Sequence, residues 1–441
     1  MPKAHLIIIG NGMASGRLLD EILKRNPDQY RITVFGAEGY ANYNRIMLSP
    51  VLAGEMHADD IVTHSEQWYR DNHISLHSAD PVSAINTLTQ TLSCQSGDQF
   101  SYDKLVFATG SNPITPAAPG VTLDGVLSFR NLADIDQIMA KVPQISHATV
   151  IGGGLLGLEA AWGLKQQGLE VTVIHRGQWL LNRQLDPAAG ELLKQSLESR
   201  GIQFKLGADI SQFTAELNPT SDQQITQNES LRQIILKNGE VIPTELAVIA
   251  IGITPNHSLA KLSDIACDRG VLVNDRLQSS AANVYALGEC TQFGDHTFGL
   301  VAPLWDQASI LADQLCQSAD HRFSVQPCAT KLKVSGIDLF SAGEFLDTPD
   351  SESIVYQDPN NGIYRKLIFR HQRLTGAVLF GAVNDGNWYF ELMQTKQKVQ
   401  HLPELIFGRR YCDVESITSS AGATDINASA PQLSLATGAT S

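Results

Sequence analysis

Apolar and polar positions follow one order twice along this chain. In residues 5–38, HLIIIGNGMASGRLLDEILKRNPDQYRITVFGAE, an apolar run leads into a glycine-rich turn. Apolar residues at helical spacing follow, stop at Asn26–Pro27, and give way to a second apolar run. Residues 148–176, ATVIGGGLLGLEAAWGLKQQGLEVTVIHR, repeat the order with Gly168 as the helix stop. This predicts a βαβ crossover in each stretch, because neighbouring parallel strands need a long connection. Short alternating runs at Val82–Asn86, Thr89–Gln95 and Gln99–Ala108 predict strands after the first unit, with a turn at Ser96–Gly97. After the second unit, the polar stretch Asn218 to Glu229 predicts a loop, and Asn238–Gly239 predicts a hairpin.

From about Thr330 the pattern changes. KLKVSGIDLFSAGEF, SIVYQ, IYRKLIF and RLTGAVLFGAV predict antiparallel strands, and DGNWYFELMQTKQKV predicts a helix. Beyond Ser416 the chain is Ala, Ser, Thr and Gly with few large apolar residues, so disorder is expected there. The expected fold is α/β: two nested Rossmann-like dinucleotide-binding domains plus a C-terminal α+β domain. The first dinucleotide domain is expected at residues 1–113 and 248–325, and the second at 114–247. The α+β domain is expected at 326–415 and the tail at 416–441.

Composition narrows the partners. A chain of 441 residues is too long for one core. Its net charge of −14 argues against nucleic acid or an anionic membrane as partner, since either would repel it. No secretory pattern precedes the first apolar run, and no apolar run reaches the ~20 residues of a membrane span. A soluble, cytoplasmic protein is expected. The six cysteines are scattered without a CxxC, whereas a zinc site, an iron–sulfur cluster or a disulfide framework needs grouped thiolates, so free thiols are expected. The twelve histidines show no metal-ligand spacing, so no metal is expected.

The glycine turns carry the chemistry. In the first, Gly10 makes the tight turn, and Gly12 lets a pyrophosphate approach the backbone. Met13 and Ala14 open the helix, and Ser15 supplies the small residue where helix meets strand. The helix N-terminus offers free N–H groups to the phosphates. Glu38, after the second strand, can take both hydroxyls of an adenosine ribose. In the second turn Gly152, Gly154, Leu155 and Gly157 complete the fingerprint, but His175 and Arg176 stand at the strand end. An acid there favours NADH and a cation NADPH, so NAD and NADP both stay open. Two such sites suit one flavin and one nicotinamide, with their reactive rings meeting between the domains.

Ala108-Thr109-Gly110, Ala250-Ile251-Gly252 with Pro255-Asn256, and Val284-Tyr-Ala-Leu-Gly288-Glu289-Cys290 extend the pattern. With these the chain resembles the FAD/NAD(P)H reductases related to glutathione reductase. The resemblance implies that the ATG and GxxP turns close each domain and that Glu289 sits on the flavin ribityl chain. It also implies that a helix opening at Pro303, followed by Leu304, points its N-terminus at the flavin pyrimidine ring; proline suits a first helical position. NYNRIMLSPVLAGE, RQLD, YALGEC, GLVAPLWDQA and TKLKVSGIDLFSAGE more specifically resemble the FAD-containing part of NAD(P)H nitrite reductase large subunits and of assimilatory nitrate reductase electron-transfer subunits, over roughly residues 1 to 412. That likeness implies FAD contacts from Asn42, Arg45 and Ser49, and an adenine contact from Val82. It also places Glu159 near the nicotinamide and flavin rings, as the one catalytic candidate; otherwise Glu159 is a first-turn helix carboxylate. Hydride transfer needs no side-chain acid or base. Trp305 reads as core.

Three departures bear on the acceptor. Nitrite reductase subunits continue into a cysteine-rich segment and a sirohaem domain, whereas this sequence holds only Cys412 and a polar tail there. Ferredoxin reductases place a lysine where this chain has Pro50. Disulfide reductases place a cysteine in the Arg45 loop, and there is none between Met1 and Ser93. Electrons must then pass outward from the flavin. The expected acceptor is a separate redox protein: a nitrate or nitrite reductase component, or alternatively rubredoxin or ferredoxin. An NADH oxidase using oxygen and a non-catalytic FAD-binding scaffold are the remaining readings. The wider superfamily often dimerises through its third domain, so a homodimer is a further expectation.

Overall fold

A computed structural model describes residues 3–215, 229–334, 336–399 and 403–412. Nearly all of the expected loop at Asn218 to Glu229, and the tail from Ser416, lie outside the described residues.

The two repeated units build two five-stranded sheets of the same design. In the first, all-parallel sheet the order is Val284–Ala286, Lys104–Phe107, Ala4–Ile9, Tyr30–Phe35, Ile74–His77. In the second, also all parallel, it is Val126–Ser128, Leu246–Ile249, His147–Ile151, Glu170–His175, Ile202–Leu206. The strand before each glycine turn is central and buried on both faces: Leu6, Ile7, Ile8 and Val150 are wholly inaccessible. That is why these strands read as continuous apolar runs. The first sheet takes its edge strand from beyond the second, so the units are nested. The chain crosses between them on an antiparallel pair, Ser111–Pro113 with Ile253–Pro255.

A three-stranded meander follows each unit, and the second contains the hairpin expected at Asn238–Gly239. The run Gln99–Ala108 differs from expectation. It is two strands, Gln99–Ser101 in the meander and Lys104–Phe107 in the parallel sheet. The Tyr102 N–H donates to the Gln90 carbonyl and the Asp103 N–H to the His5 carbonyl, both at 2.9 Å, and these bonds redirect the chain. The boundary expected at residue 248 falls inside the strand Leu246–Ile249, all of which pairs in the second sheet.

The third unit is a five-stranded antiparallel sheet covered by the helix Gly386–Thr395. That helix stops short of the expected Val399: Lys396 takes a left-handed φ of 52°, and the Val399 N–H is spent on the Gln372 carbonyl. Four other helices position the site: α1 (Met13–Arg25), α2 (Leu48–Ala53), α3 (Leu155–Gln166) and α4 (Val301–Cys316). Helices α1 and α4 pack on the first sheet through Leu18, Leu19, Ile22, Leu304 and Leu311. Trp305 packs on the rim of that core.

Candidate dinucleotide-binding cleft

A cleft of about 1530 Å³ runs past the carboxyl ends of both parallel sheets, lined at the strand ends by Ile9, Phe35, Ile151 and Ile174. This is where open α/β sheets bind ligands. Both glycine turns face it.

The first turn shows why each residue is what it is. Gly10 has a φ of +113°, and a Cβ there would lie 2.1 Å from the Ala108 carbonyl oxygen. A Cβ on Gly12 would meet nothing within 4 Å; it would project into open space. Met13 and Ala14 line the cleft, whereas Ser15 is wholly buried beneath it and does not. Asn42 is also buried behind the turn. Its side-chain amide donates to the carbonyls of Gly12 (2.7 Å) and Asn11 (3.1 Å), so it braces the turn and does not line the cleft.

The second turn repeats the geometry. Gly152 has a φ of +124° with the Ala250 carbonyl oxygen 2.2 Å from its would-be Cβ, and Gly154 is open within 4 Å. A Cβ on Gly157 would lie 2.0 Å from the Gly152 carbonyl oxygen, so this third glycine permits the packing of α3 on its strand and stays out of the cleft, which Leu155 lines. The His175 Nδ1 accepts from the Gly153 N–H at 3.1 Å, and burial pushes the imidazole pKa below its ordinary value. A neutral ring that braces the turn is not the strand-end cation expected. Arg176 is, and its Nε donates to Asp209 at 2.7 Å.

Between the turns lies a floor of alternating charge. The Glu38 carboxylate accepts from the Tyr43 hydroxyl at 2.7 Å and from Arg45, whose other amino group donates to the Arg130 carbonyl at 3.0 Å. Arg130 in turn pairs with Glu289, which also accepts from the Ser111 hydroxyl at 2.8 Å. Arg130 was not foreseen. The signal for it is a lone cation directly before Asn131, the side-chain cap of the next helix. The adjacent Gly288 N–H donates to Gln307, fully buried on α4, at 2.7 Å. Helix α4 begins at Val301, so Pro303 is its third residue and not its first; the N–H it lacks is still one a first turn leaves unpaired. Val301, Ala302 and Leu304 line the cleft and Pro303 does not; Val82 does.

Ala108, Thr109, Gly110 and Gly252 line the crossing, where the Thr109 hydroxyl donates to the Asn256 carbonyl at 2.6 Å. Glu159 lines the cleft from α3, and the Ser49 hydroxyl, outside the cleft, donates to it at 2.7 Å. Burial raises the Glu159 carboxyl above the ordinary carboxylate range, and the Ser49 bond partly offsets that. None of the six cysteines is joined in a disulfide, and of these Cys328 lines the cleft, with Lys331 beside it on the third sheet's first strand.

The residues fit dinucleotides on their own evidence. Both middle glycines are open to the cleft, and the side-chain amide of Asn11 and the Nε of Arg130 are buried donors without a partner. A family model described as pyridine nucleotide-disulphide oxidoreductase matches residues 4–309. The chain belongs to that family. A second, the rubredoxin NAD+ reductase C-terminal domain, matches residues 328–397. The chain is 38% identical over 405 residues to a nitrite reductase [NAD(P)H] of Bacillus subtilis (strain 168), covering 92% of this chain and 49% of that protein. It is also 38% identical to an assimilatory nitrate reductase electron transfer subunit of the same organism, covering 87% and 48%. The chain therefore spans about half the length of these relatives. In fold it is similar to the NADH:rubredoxin oxidoreductase of Clostridium acetobutylicum, with a TM-score of 0.75 at 24% identity, over 91% of this chain and 98% of that one. No helix among the described residues is long and apolar enough to cross a membrane.

Proposed function

We propose that the chain is an FAD-dependent NAD(P)H reductase. FAD occupies the turn at Gly10–Ser15 and NAD(P)H the turn at Gly152–Gly157, and electrons leave to a separate redox protein serving nitrate or nitrite assimilation. The observation that carries this is one cleft with an open glycine cradle at each end, Gly12 and Gly154. When bound, the nicotinamide supplies a hydride that the flavin accepts. The chain's own part is to hold and orient. Arg45 and Arg130 line the cleft, each paired with a carboxylate, and Arg130 keeps an unpartnered Nε donor. Glu38 and Glu289 each have both oxygens or one oxygen engaged by them and by hydroxyl donors, with lone pairs left for ribose or ribityl hydroxyls. Glu159 faces the cleft from the helix that opens at the second turn, and Ser49 fixes its orientation. The cysteines of this sequence form no CxxC, which supports an acceptor other than a disulfide beside the flavin.

The match of residues 328–397 to a rubredoxin reductase domain supports a second reading, with rubredoxin or ferredoxin as acceptor. Anaerobic addition of NADH or NADPH to the FAD-loaded protein is expected to bleach the flavin absorbance. No bleaching with either coenzyme would reduce the chain to a flavin-binding scaffold. Comparing rubredoxin, ferredoxin, a nitrate or nitrite reductase component and oxygen as oxidants of the bleached protein identifies the acceptor.

A further inference from the structure

The two glycine turns differ where an adenosine ribose would sit, beyond the second strand of each unit. After Tyr30–Phe35 the chain offers the carboxylate of Glu38. After Glu170–His175 it offers Arg176, and no acid stands among residues 175–177. Two residues from other elements reach the same end of the cleft, Asp209 and Lys237. Asp209 bridges the cations: one carboxylate oxygen accepts from the Arg176 Nε at 2.7 Å and from the Ile210 N–H at 3.1 Å, and the other pairs with the Lys237 ammonium. The carboxylate is thus largely spent on holding the two cations. The terminal amino groups of Arg176 have no hydrogen-bond partner among the described residues. Two cations against one carboxylate leave one net positive charge at this rim.

On the reading proposed above, we infer that the coenzyme is the 2′-phosphorylated one, NADPH, and that Arg176 and Lys237, clamped by Asp209, select it. A guanidinium fork with free amino groups suits a phosphate, which it can grip with two parallel bonds. It gives a ribose hydroxyl pair much less, because the charge goes unanswered. The ion pairs themselves contribute little to the fold. The Arg176 and Lys237 side chains are 72% and 66% exposed, so removing them leaves the protein folded.

The test uses the full chain loaded with FAD, with kcat/KM measured for NADPH and NADH against a dye acceptor. Wild type is expected to favour NADPH. Arg176→Ala is expected to lower kcat/KM for NADPH by about 10- to 100-fold, the range of a charge-assisted bond, mostly through KM. Lys237→Ala should do the same less strongly, and Arg176→Lys should recover part of the loss. NADH, which lacks the phosphate, should respond far less. Calorimetric binding of 2′,5′-ADP against 5′-AMP reads the same site without turnover: the extra phosphate should tighten binding in wild type and stop doing so in Arg176→Ala. A wild type that prefers NADH, or an Arg176→Ala that weakens both coenzymes equally, overturns the inference. Failure to oxidise either coenzyme would sink the reductase reading, while the 2′,5′-ADP comparison would still decide this one.

Discussion

A matched pair of glycine substitutions separates the folding role of the second turn from its binding role. At Gly152 the φ of +124° and a would-be Cβ 2.2 Å from a backbone oxygen mean that alanine must strain and displace the Ala250 segment. An unfavourable backbone conformation costs ~1–3 kcal/mol and overpacking a similar amount, so roughly 2–6 kcal/mol is expected for Gly152→Ala. At Gly154 the φ is −83°, which alanine adopts freely, and the methyl meets nothing within 4 Å. Alanine is a poorer helix N-cap than glycine by about 0.5 kcal/mol, so the fold should barely notice. The methyl would instead stand in the space through which a pyrophosphate reaches the N–H groups at the start of α3. Losing one or two bonds to a charged group, ~1.5–3 kcal/mol, raises KM for the coenzyme by about 10- to 100-fold.

Melting followed by flavin fluorescence, together with KM for NADPH and NADH, reads both effects. Gly152→Ala should melt more than ~5 °C below wild type, and Gly154→Ala within a degree or two of it with a much raised KM. A Gly154→Ala protein with wild-type KM would mean that no phosphate approaches this turn. A Gly152→Ala protein that melts like wild type would mean the turn is not held as described.

Other substitutions address other parts of the cleft. Glu159→Gln keeps a group that can accept from Ser49 but removes a carboxyl whose folded pKa lies above its unfolded value. Such a group costs stability only as pH rises past its unfolded value, so the variant's melting temperature should match wild type in acid and exceed it toward neutral pH; an advantage confined to acid would contradict the burial argument. Asn42→Ala strands the Gly12 and Asn11 carbonyls and should cost about 1–3 kcal/mol. FAD retention on dialysis should fall with it, although Asn42 never lines the cleft; full retention and an unchanged melt would refute the bracing role. Arg130→Ala leaves the largely buried Glu289 carboxylate with the Ser111 hydroxyl as hydrogen-bond donor and Arg45 as the remaining cation, a loss of about 1–3 kcal/mol in the apo-protein. Adding Glu289→Gln should recover much of it, and a double-mutant cycle showing simple additivity would mean that the two side chains do not interact.

Most of the architecture is legible in the sequence because it is written in local terms. The two glycine turns read correctly because a turn, a helix start and a central strand leave signatures within a few neighbouring residues. What did not read correctly depends on distant partners. Gln99–Ala108 is a continuous apolar-polar pattern, and the bonds of Tyr102 to Gln90 and of Asp103 to His5 break it in two. Asn42 sits in a loop that resembles flavin contacts elsewhere, yet its amide faces the back of the turn because Gly16 leaves just enough room for it, 3.0 Å from where a Cβ would be. His175 looked like a charge at a strand end, and the Gly153 N–H, 22 positions earlier in the chain, makes it an acceptor. Arg130 belongs to the second unit by sequence and reaches the acid of the first through the crossing. Side chains that serve the other unit are invisible to a reading made unit by unit.

That last point bears on how the two turns are held relative to each other. The segment from Asn42 to Gly54 belongs to the first unit and lies against the second. Its Arg45 end ties Glu38 to the backbone before the second sheet's first helix. Its other end, α2, presses the wholly buried Leu52 against Gly163 of α3, where a Cβ would already be 3.0 Å from the leucine. Gln167 donates to the Leu52 carbonyl at 2.9 Å, and Ser49 reaches Glu159. Pro50 fits here because it is the third residue of α2, where no backbone N–H is needed by the helix, and Gly54 closes the helix with a φ of +76°. The proline stiffens a spacer. Packed interiors deform little, so the separation of the two cradles is set by this contact and not by the crossing strands alone. On the reading proposed above a hydride crosses only a short, aligned gap, and a chain that fixes the separation of its cradles by side-chain packing meets the main geometric demand of such a transfer.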